Sequence, residues 1–544
     1  MTDGSAAPRR QGPEDRNGGL TGTLKLVRLM LRRDRVKLPG WTGGIGLLAL
    51  YLVALLPVAY GESLDAIVAL FGDPTGRLIT GPGYGFDAPS FGQLIANGYG
   101  LYFLLISALM SILLVVRHTR VEEQSGRAEL IRANVVGSHA QLSAALIVAL
   151  ITNAIASVLV AVVMIAYGYA AGPSMLLGAS IGAVGLAFAG VAAITVQIAE
   201  SSRAAAGMAG AVMGAAFVLR AGGDMAKVGG NALSWLSPLG WGSQTAPFVL
   251  DRWWPLGLAI GFAAVTSAVG FALSTRRDVG AGLFAARSGR SVAAPWLGSP
   301  LALAWRLQRS SILWWAAALG VSGLVFGAFG DGLAGIGDVS VFDKVFGETQ
   351  DIVLGYLSFM AVYMSYVVGI FAILSVQGLR SEETGQRAAP VLAAPVGRLS
   401  WMGSSLVVSA LAVVALQAVT GFATGLGAAA VTGESSYVWD ITLAHLAHTP
   451  AVLVVLGIAA LLYGVLPRAV AWAWAVLAYG MFVGTYGALA NLPDIAFDIS
   501  PFAHIAQVPL EGFSMTPVVI LTALAIALVT LGLVGFRRRG INVT

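Results

Sequence analysis

Twelve apolar runs divide the chain, at about 42–60, 98–116, 141–168, 174–199, 204–220, 254–275, 311–329, 352–376, 401–428, 449–466, 469–489 and 515–536. Each is close to the ~20 residues that a helix needs to cross a bilayer. In hydrocarbon a backbone must satisfy its own polar groups, and unbroken runs of this length do so as helices. Composition agrees: 57% of the residues are hydrophobic and 11% charged, against roughly 25% charged in soluble globular chains. The expected fold class is therefore all-α integral membrane, with twelve transmembrane helices. Cysteine is absent, which excludes disulfide frameworks, thiolate metal sites and cysteine nucleophiles. Five scattered histidines leave little from which to build a metal centre, so no metal site and no catalytic group are expected.

The charges test the span count. Residues 1–21 are polar, with no apolar core of the kind a signal peptide needs, and read as a disordered cytoplasmic tail. With that end inside, 27 of the 32 Lys and Arg fall on the cytoplasmic side against 11 acids, and five fall outside against 16 acids. A wrong count would scramble this sorting, and the bias also places both termini in the cytoplasm. Every charge falls in a loop or at a span end. Charges in mid-membrane usually serve ion or proton handling, so a proton- or sodium-driven carrier is disfavoured. Asn153, Gln197, Gln417, His445 and His448 are the polar residues left inside, and they read as interhelical hydrogen-bonding groups.

The chain also resembles itself. R-V-E-E-Q-S-G-R-A-E-L-I-R-A-N-V-V-G from Arg120 matches R-S-E-E-T-G-Q-R-A-A-P-V-L-A-A-P-V-G from Arg380 without a gap. Ser237-Pro238 matches Ser500-Pro501, and Arg276-Arg277 matches Arg538-Arg539. This predicts a six-span half over 22–280, a cytoplasmic linker over 281–299 and a second six-span half over 300–544. Both halves start and end inside, as parallel repeats do.

Two elements stand out at the expected inner face. In TLKLVRLMLRRDRVKL, Lys25, Arg28, Arg32 and Arg35 form a basic stripe opposite apolar positions, the pattern of an interfacial amphipathic helix. LALAWRLQRS, with Arg306 and Arg309, is its counterpart. The second element is the loop over 117–140 and its copy over 377–400, carrying Arg120, Glu122, Glu123 and Arg127, then Arg380, Glu382, Glu383 and Arg387. Their repetition points to a paired partner. The acids are expected at the starts of short helices, where the dipole favours them. Gly178-x-x-x-Gly182 and Gly210-x-x-x-Gly214 permit close helix packing.

None of the four lysines sits in a G-x-x-x-x-G-K-[ST] phosphate loop. The energy source must then lie on another chain, or the protein is a passive conduit. Taken together, an amphipathic helix before six spans, an E-E-x(2,3)-R segment between spans two and three, a Ser-Pro turn before the last span and a closing Arg-Arg resemble the permease subunit of type-2 ABC exporters. The doubled form looks like the actinobacterial exporters of polyketide antibiotics, related to tetronasin-resistance transporters. The second copy departs from the pattern where Ala389-Pro390 replaces Glu129-Leu130.

The resemblance implies a multidrug-efflux, antibiotic-resistance permease of the bacterial plasma membrane. It would have no enzyme activity and no cofactor of its own, and would be served by two copies of an ABC ATPase subunit that bind ATP and Mg. The loop between spans two and three of each half would dock as a coupling helix. A hydrophobic small molecule would be the cargo, membrane lipid a partner and nucleic acid none. The resemblance places a substrate cavity along spans two, five, eight and eleven, where Phe103, Met110, Met208, Met213, Phe217, Met360, Tyr363, Tyr366, Trp472, Trp474, Tyr479 and Phe482 lie. Each of these also suits plain core packing. A lipid or glycolipid export permease, a proton-coupled multidrug antiporter and a non-transporting scaffold are the alternatives.

Overall fold

The computed structural model describes residues 18–60, 64, 68, 71–127, 129, 136–277, 282–283, 292–330, 351–487, 490 and 492–540. Most of the expected 1–21 tail, much of the 281–299 linker and part of the 117–140 loop lie outside the described residues. Among those described the regular structure is helical, with no strand, and the chain divides into two compact units, Met1–Gly289 and Arg290–Thr544.

In the first unit α1 (Thr23–Arg33) turns at Asp34 into α2 (Lys37–Tyr60), and the short α3 (Pro74–Thr80) follows. Helix α4 (Gly100–Val116) continues through a π turn, Arg117–Val121, to Gln124. Then come α5 (Ala140–Ala166), α6 (Ala171–Ile198), α7 (Ser202–Ala226), the short α8 (Pro238–Ser243) and α9 (Pro255–Ser274). Helix α6 is the most buried span and packs on α4, α5 and α9. A Cβ at Gly178 would collide with the Ser157 carbonyl oxygen, and one at Gly182 with the Ser157 hydroxyl. Glycine there lets α5 and α6 touch backbone to backbone. Gly210 and Gly214 face open space, so the second small-residue motif packs nothing within this unit.

The second unit holds α10 (Pro300–Phe329), α11 (Ile352–Thr384), the short α12 (Ala388–Ala393), α13 (Arg398–Thr432), α14 (Tyr437–Ala447), α15 (Thr449–Val465), α16 (Ala473–Tyr486) and α17 (Met515–Arg538). Helix α15 packs on α17 and α11, and α10 on α13.

Eleven helices among the described residues are long and apolar enough to span, with α14 and α15 counted as one bent helix. The run expected at 469–489 is the exception. It opens as six residues of 3-10 helix, Pro467–Trp472, and continues as the 14-residue α16. Pro467 lacks the N–H that a continuous helix needs.

The helices outlast their apolar runs, and this changes where charges lie. Helix α7 reaches Ala226 and so encloses Arg220 and Asp224, paired at 2.9 Å and both fully buried. The expectation that span interiors carry no charge fails in those last two turns. The tertiary fold supplies what lipid could not: Arg220 also donates to the Leu78 carbonyl of α3, and Asp224 accepts from the Ser234 hydroxyl at 2.6 Å.

The two leading stretches also differ. Residues 300–309 are not a separate interfacial helix: Arg306 and Arg309 sit in the first turns of the unbroken α10. Pro39 accounts for the break in the first half, since its ring removes a helix hydrogen bond. No proline follows Pro300 in α10.

Candidate functional site

The acidic pairs lie at helix ends, not at helix starts. Glu122 and Glu123 close α4, and Glu382 and Glu383 close α11. The dipole disfavours acids there, and arginines offset it.

In the first unit the Glu123 carboxylate is held by Arg277, just past α9, at 2.6 and 2.9 Å, and by Arg120 at 2.8 Å. Arg120 is fully buried and also donates to the Val196 carbonyl at 2.6 Å. Arg277 additionally donates to the Gln197 side chain. The end of span two is thereby tied to the ends of spans four and six. A polar cavity of about 310 Å³ opens beside this knot, lined by Thr119, Gln141, Gln197, Ser274, Glu123 and Arg277 among others.

Glu122 turns the other way and pairs with Arg33 of α1. Next to it Asp34, almost wholly buried, receives three hydrogen bonds from Arg117 at 2.7–3.0 Å, shared between its two oxygens, and His118 Nε2 lies 3.0 Å from Oδ2. Burial pushes the Asp34 carboxyl up, but the Arg117 hydrogen bonds and the His118 and Arg117 charges outweigh it and hold the group below the usual carboxylate range. Helix α1 is thus docked on the bundle by Leu26, Val27 and Met30 and pinned at its end by ion pairs, while Lys25, Arg28, Arg32 and Arg35 face outward.

The second unit repeats the knot with different neighbours. Arg539, just past α17, holds Glu383 at 2.6 and 2.7 Å, and the Tyr463 hydroxyl donates to the same carboxylate at 2.8 Å. Burial pulls the Arg539 guanidinium down, but its hydrogen bond to Glu383 more than offsets this and holds it above its ordinary value. Trp401, Phe536 and Tyr463 stack beside it with centroids 5.6 and 5.7 Å apart. Glu382 pairs with exposed Arg387 at 2.9 Å, and Arg380 is half-buried.

Of the residues singled out in the two loops, Arg127 and Arg387 are exposed, and Glu122, Glu123, Arg120 and Glu383 are engaged within their own unit. Asp34, Arg117, His118, Arg277, Arg539 and Tyr463 were missed as site residues. The Arg276-Arg277 and Arg538-Arg539 repeat was the available signal, since each second arginine clamps the second glutamate of its half.

The cavity candidates divide by burial. Phe103, Met110, Met360 and Tyr366 belong to the interiors of their units, and Tyr366 packs on Phe502 at 4.5 Å. Met213, Phe217, Tyr363, Trp474 and Tyr479 are half-buried, whereas Met208, Trp472 and Phe482 are exposed. The interior polar residues act as hydrogen-bonding links. Asn153 bridges α5 to Ser107 and Ser111 of α4 at 2.8 Å, and Gln417 bridges α13 to Ser365 of α11 at 2.8 Å. His445 and His448 are fully buried, each with Nδ1 on a carbonyl of its own helix. No cluster of metal-ligating residues is present among the described residues.

This architecture defines an all-helical, multi-pass membrane protein whose charges are tied together at the helix ends. The family model described as "Multidrug efflux system permease Rv1217c, C-terminal domain" matches residues 25–273 and 297–537. The chain is 36% identical over 546 residues to the multidrug efflux system permease protein Rv1217c of Mycobacterium tuberculosis, across 99% of this chain and 98% of that protein. The chain belongs to this family of multidrug efflux system permeases.

Proposed function

We propose that the chain is the membrane-spanning subunit of an ATP-driven type-2 ABC exporter that expels hydrophobic small molecules, drugs and polyketide antibiotics among them. Two copies of a separate ATPase subunit would energise it. On this reading the two units are parallel six-helix repeats with cytoplasmic termini, and 3-10 helix Pro467–Trp472 with α16 forms the eleventh span. The observation that carries the proposal is the duplicated glutamate–arginine knot. In each unit it ties the end of span two to the end of the last span, so a force applied at exposed Arg127 or Arg387 would move several helices together. The two separate matches of one family model favour the same duplication. The absence of a phosphate-loop lysine supports this reading, on which ATP and Mg would bind the partner chain. Exposed Met208, Trp472 and Phe482, with half-buried Met213, Phe217 and Tyr363, are the aromatic and methionine side chains that would meet cargo.

Reconstitution with a cognate ATP-binding-cassette subunit tests this. Export of a hydrophobic dye from vesicles should require both chains and ATP and should persist when the proton gradient is collapsed. Charge reversal at exposed Arg127 together with Arg387 should lower recovery of the two-chain complex while leaving the permease folded. Transport by the purified permease alone would overturn the proposal, and dependence on the proton gradient would favour the antiporter reading.

A further inference from the structure

A groove of about 310 Å³ runs between the α1–α2 corner and α5, with Arg35 at its mouth and Leu38, Thr42, Ile151, Thr152 and Ile155 among its walls. The hydroxyl protons of its two threonines are already spent within their own helices. Thr42 donates back to the Leu38 carbonyl at 3.1 Å and Thr152 to the Val148 carbonyl at 2.7 Å. From Arg35 to Thr42 the groove covers about two helical turns, roughly 10 Å. That is some two-thirds of the ~15 Å that one leaflet contributes to the hydrocarbon core.

The mouth is cationic and unspent. Arg33 is paired with Glu122 and Asp34 with Arg117, whereas exposed Arg35 joins no ion pair among the described residues. Arg28, Arg32 and Lys25 continue the positive face along α1. The second unit offers a counterpart on one face of α10 alone, where Arg309 heads a depression lined by Ser310, Leu313, Trp314 and Ala317.

We infer that each groove holds one anionic phospholipid, its phosphate on Arg35 or Arg309 and one acyl chain along the apolar wall. Charge complementarity selects this occupant, because a neutral or cationic hydrophobic molecule would leave the arginine unused while a phosphate engages it and still offers a chain to the groove. The bound lipid would wedge the α1–α2 corner against α5.

Native mass spectrometry of the full chain, purified in detergent and offered phosphatidylglycerol or phosphatidylcholine, tests the inference. Phosphatidylglycerol should be retained in preference, at up to two copies. Arg35→Gln, an exposed and structurally silent change, should cut retention of one copy about five-fold, and Arg309→Gln the other. Ile151→Trp, which fills the first groove, should displace that copy with Arg35 intact. Equal retention of the two lipids, unchanged binding in both arginine variants, or displacement by inorganic phosphate alone would overturn it. Displacement of the lipid by a hydrophobic dye with Arg35→Gln unaffected would assign the groove to cargo instead.

Discussion

Glu123 and Arg277 stand 154 residues apart in the chain and meet at 2.6 Å, closing the first unit from the end of α4 to the end of α9. Glu383 and Arg539, 156 residues apart, make the same contact at 2.6 Å in the second unit. Breaking a buried ion pair from one side strands its partner's charge, which costs about 3–5 kcal/mol. Glu123→Gln and Glu383→Gln should each lower the thermal unfolding midpoint of the detergent-purified protein. Because they lie in separate units, the double variant should lose the sum of the two effects. A double variant no less stable than either single one would mean that the clamps report on one shared element.

Asp34 predicts an acid-sensitive attachment of α1. Its carboxyl titrates below the usual carboxylate range in the folded chain. Its contribution is therefore present above the unfolded pKa of about 3.9 and is lost as pH falls through the lower folded value. The chain has no cysteine, so Leu29→Cys on the exposed side of α1 can carry a single mobility label. Its motion should rise on acidification below about pH 4, and Asp34→Asn should show the raised mobility already at pH 7. A label equally immobile in both proteins at every pH would remove Asp34 from this role.

The glycine motifs separate packing from mere occurrence. Gly178→Leu or Gly182→Leu must push α5 away from α6, and overpacking of that kind costs about 1–3 kcal/mol or more. Gly210→Leu and Gly214→Leu meet open space and should leave thermal stability within about 0.5 kcal/mol. Yield and unfolding midpoint of the four variants decide the matter, and the reverse ranking would refute the assigned packing.

Arg220 and Asp224 make a buried pair whose members should not be removed singly. Arg220→Met or Asp224→Asn should each destabilise by roughly 3–5 kcal/mol. Arg220→Met combined with Asp224→Leu should be milder than Arg220→Met alone, since neither member of the pair is then left without the other, and buried Arg77 keeps its backbone carbonyl partners. Equal loss in the single and double variants would show that the backbone hydrogen bonds of Arg220 outweigh the pair.

Near-continuous apolar runs made the membrane class and most span positions legible from residues alone, and the offset repeat made the recurrence of the Glu-Glu and Arg-Arg pairs legible. Those properties follow from local composition and from spacing along one dimension. The roles of the acids were not legible, because a carboxylate's fate depends on which distant arginine the fold brings to it. Glu122 and Glu123 are adjacent, yet one binds Arg33 and the other Arg120 and Arg277. Only the packed helices decided that Phe103 and Met110 are core, that α7 carries its charges inward, and that Pro39 divides one leading stretch while its counterpart runs on unbroken. Each of those outcomes is set by burial and by partners that the fold brings in from other elements, or by the difference one proline makes to a helix that both halves could otherwise have formed.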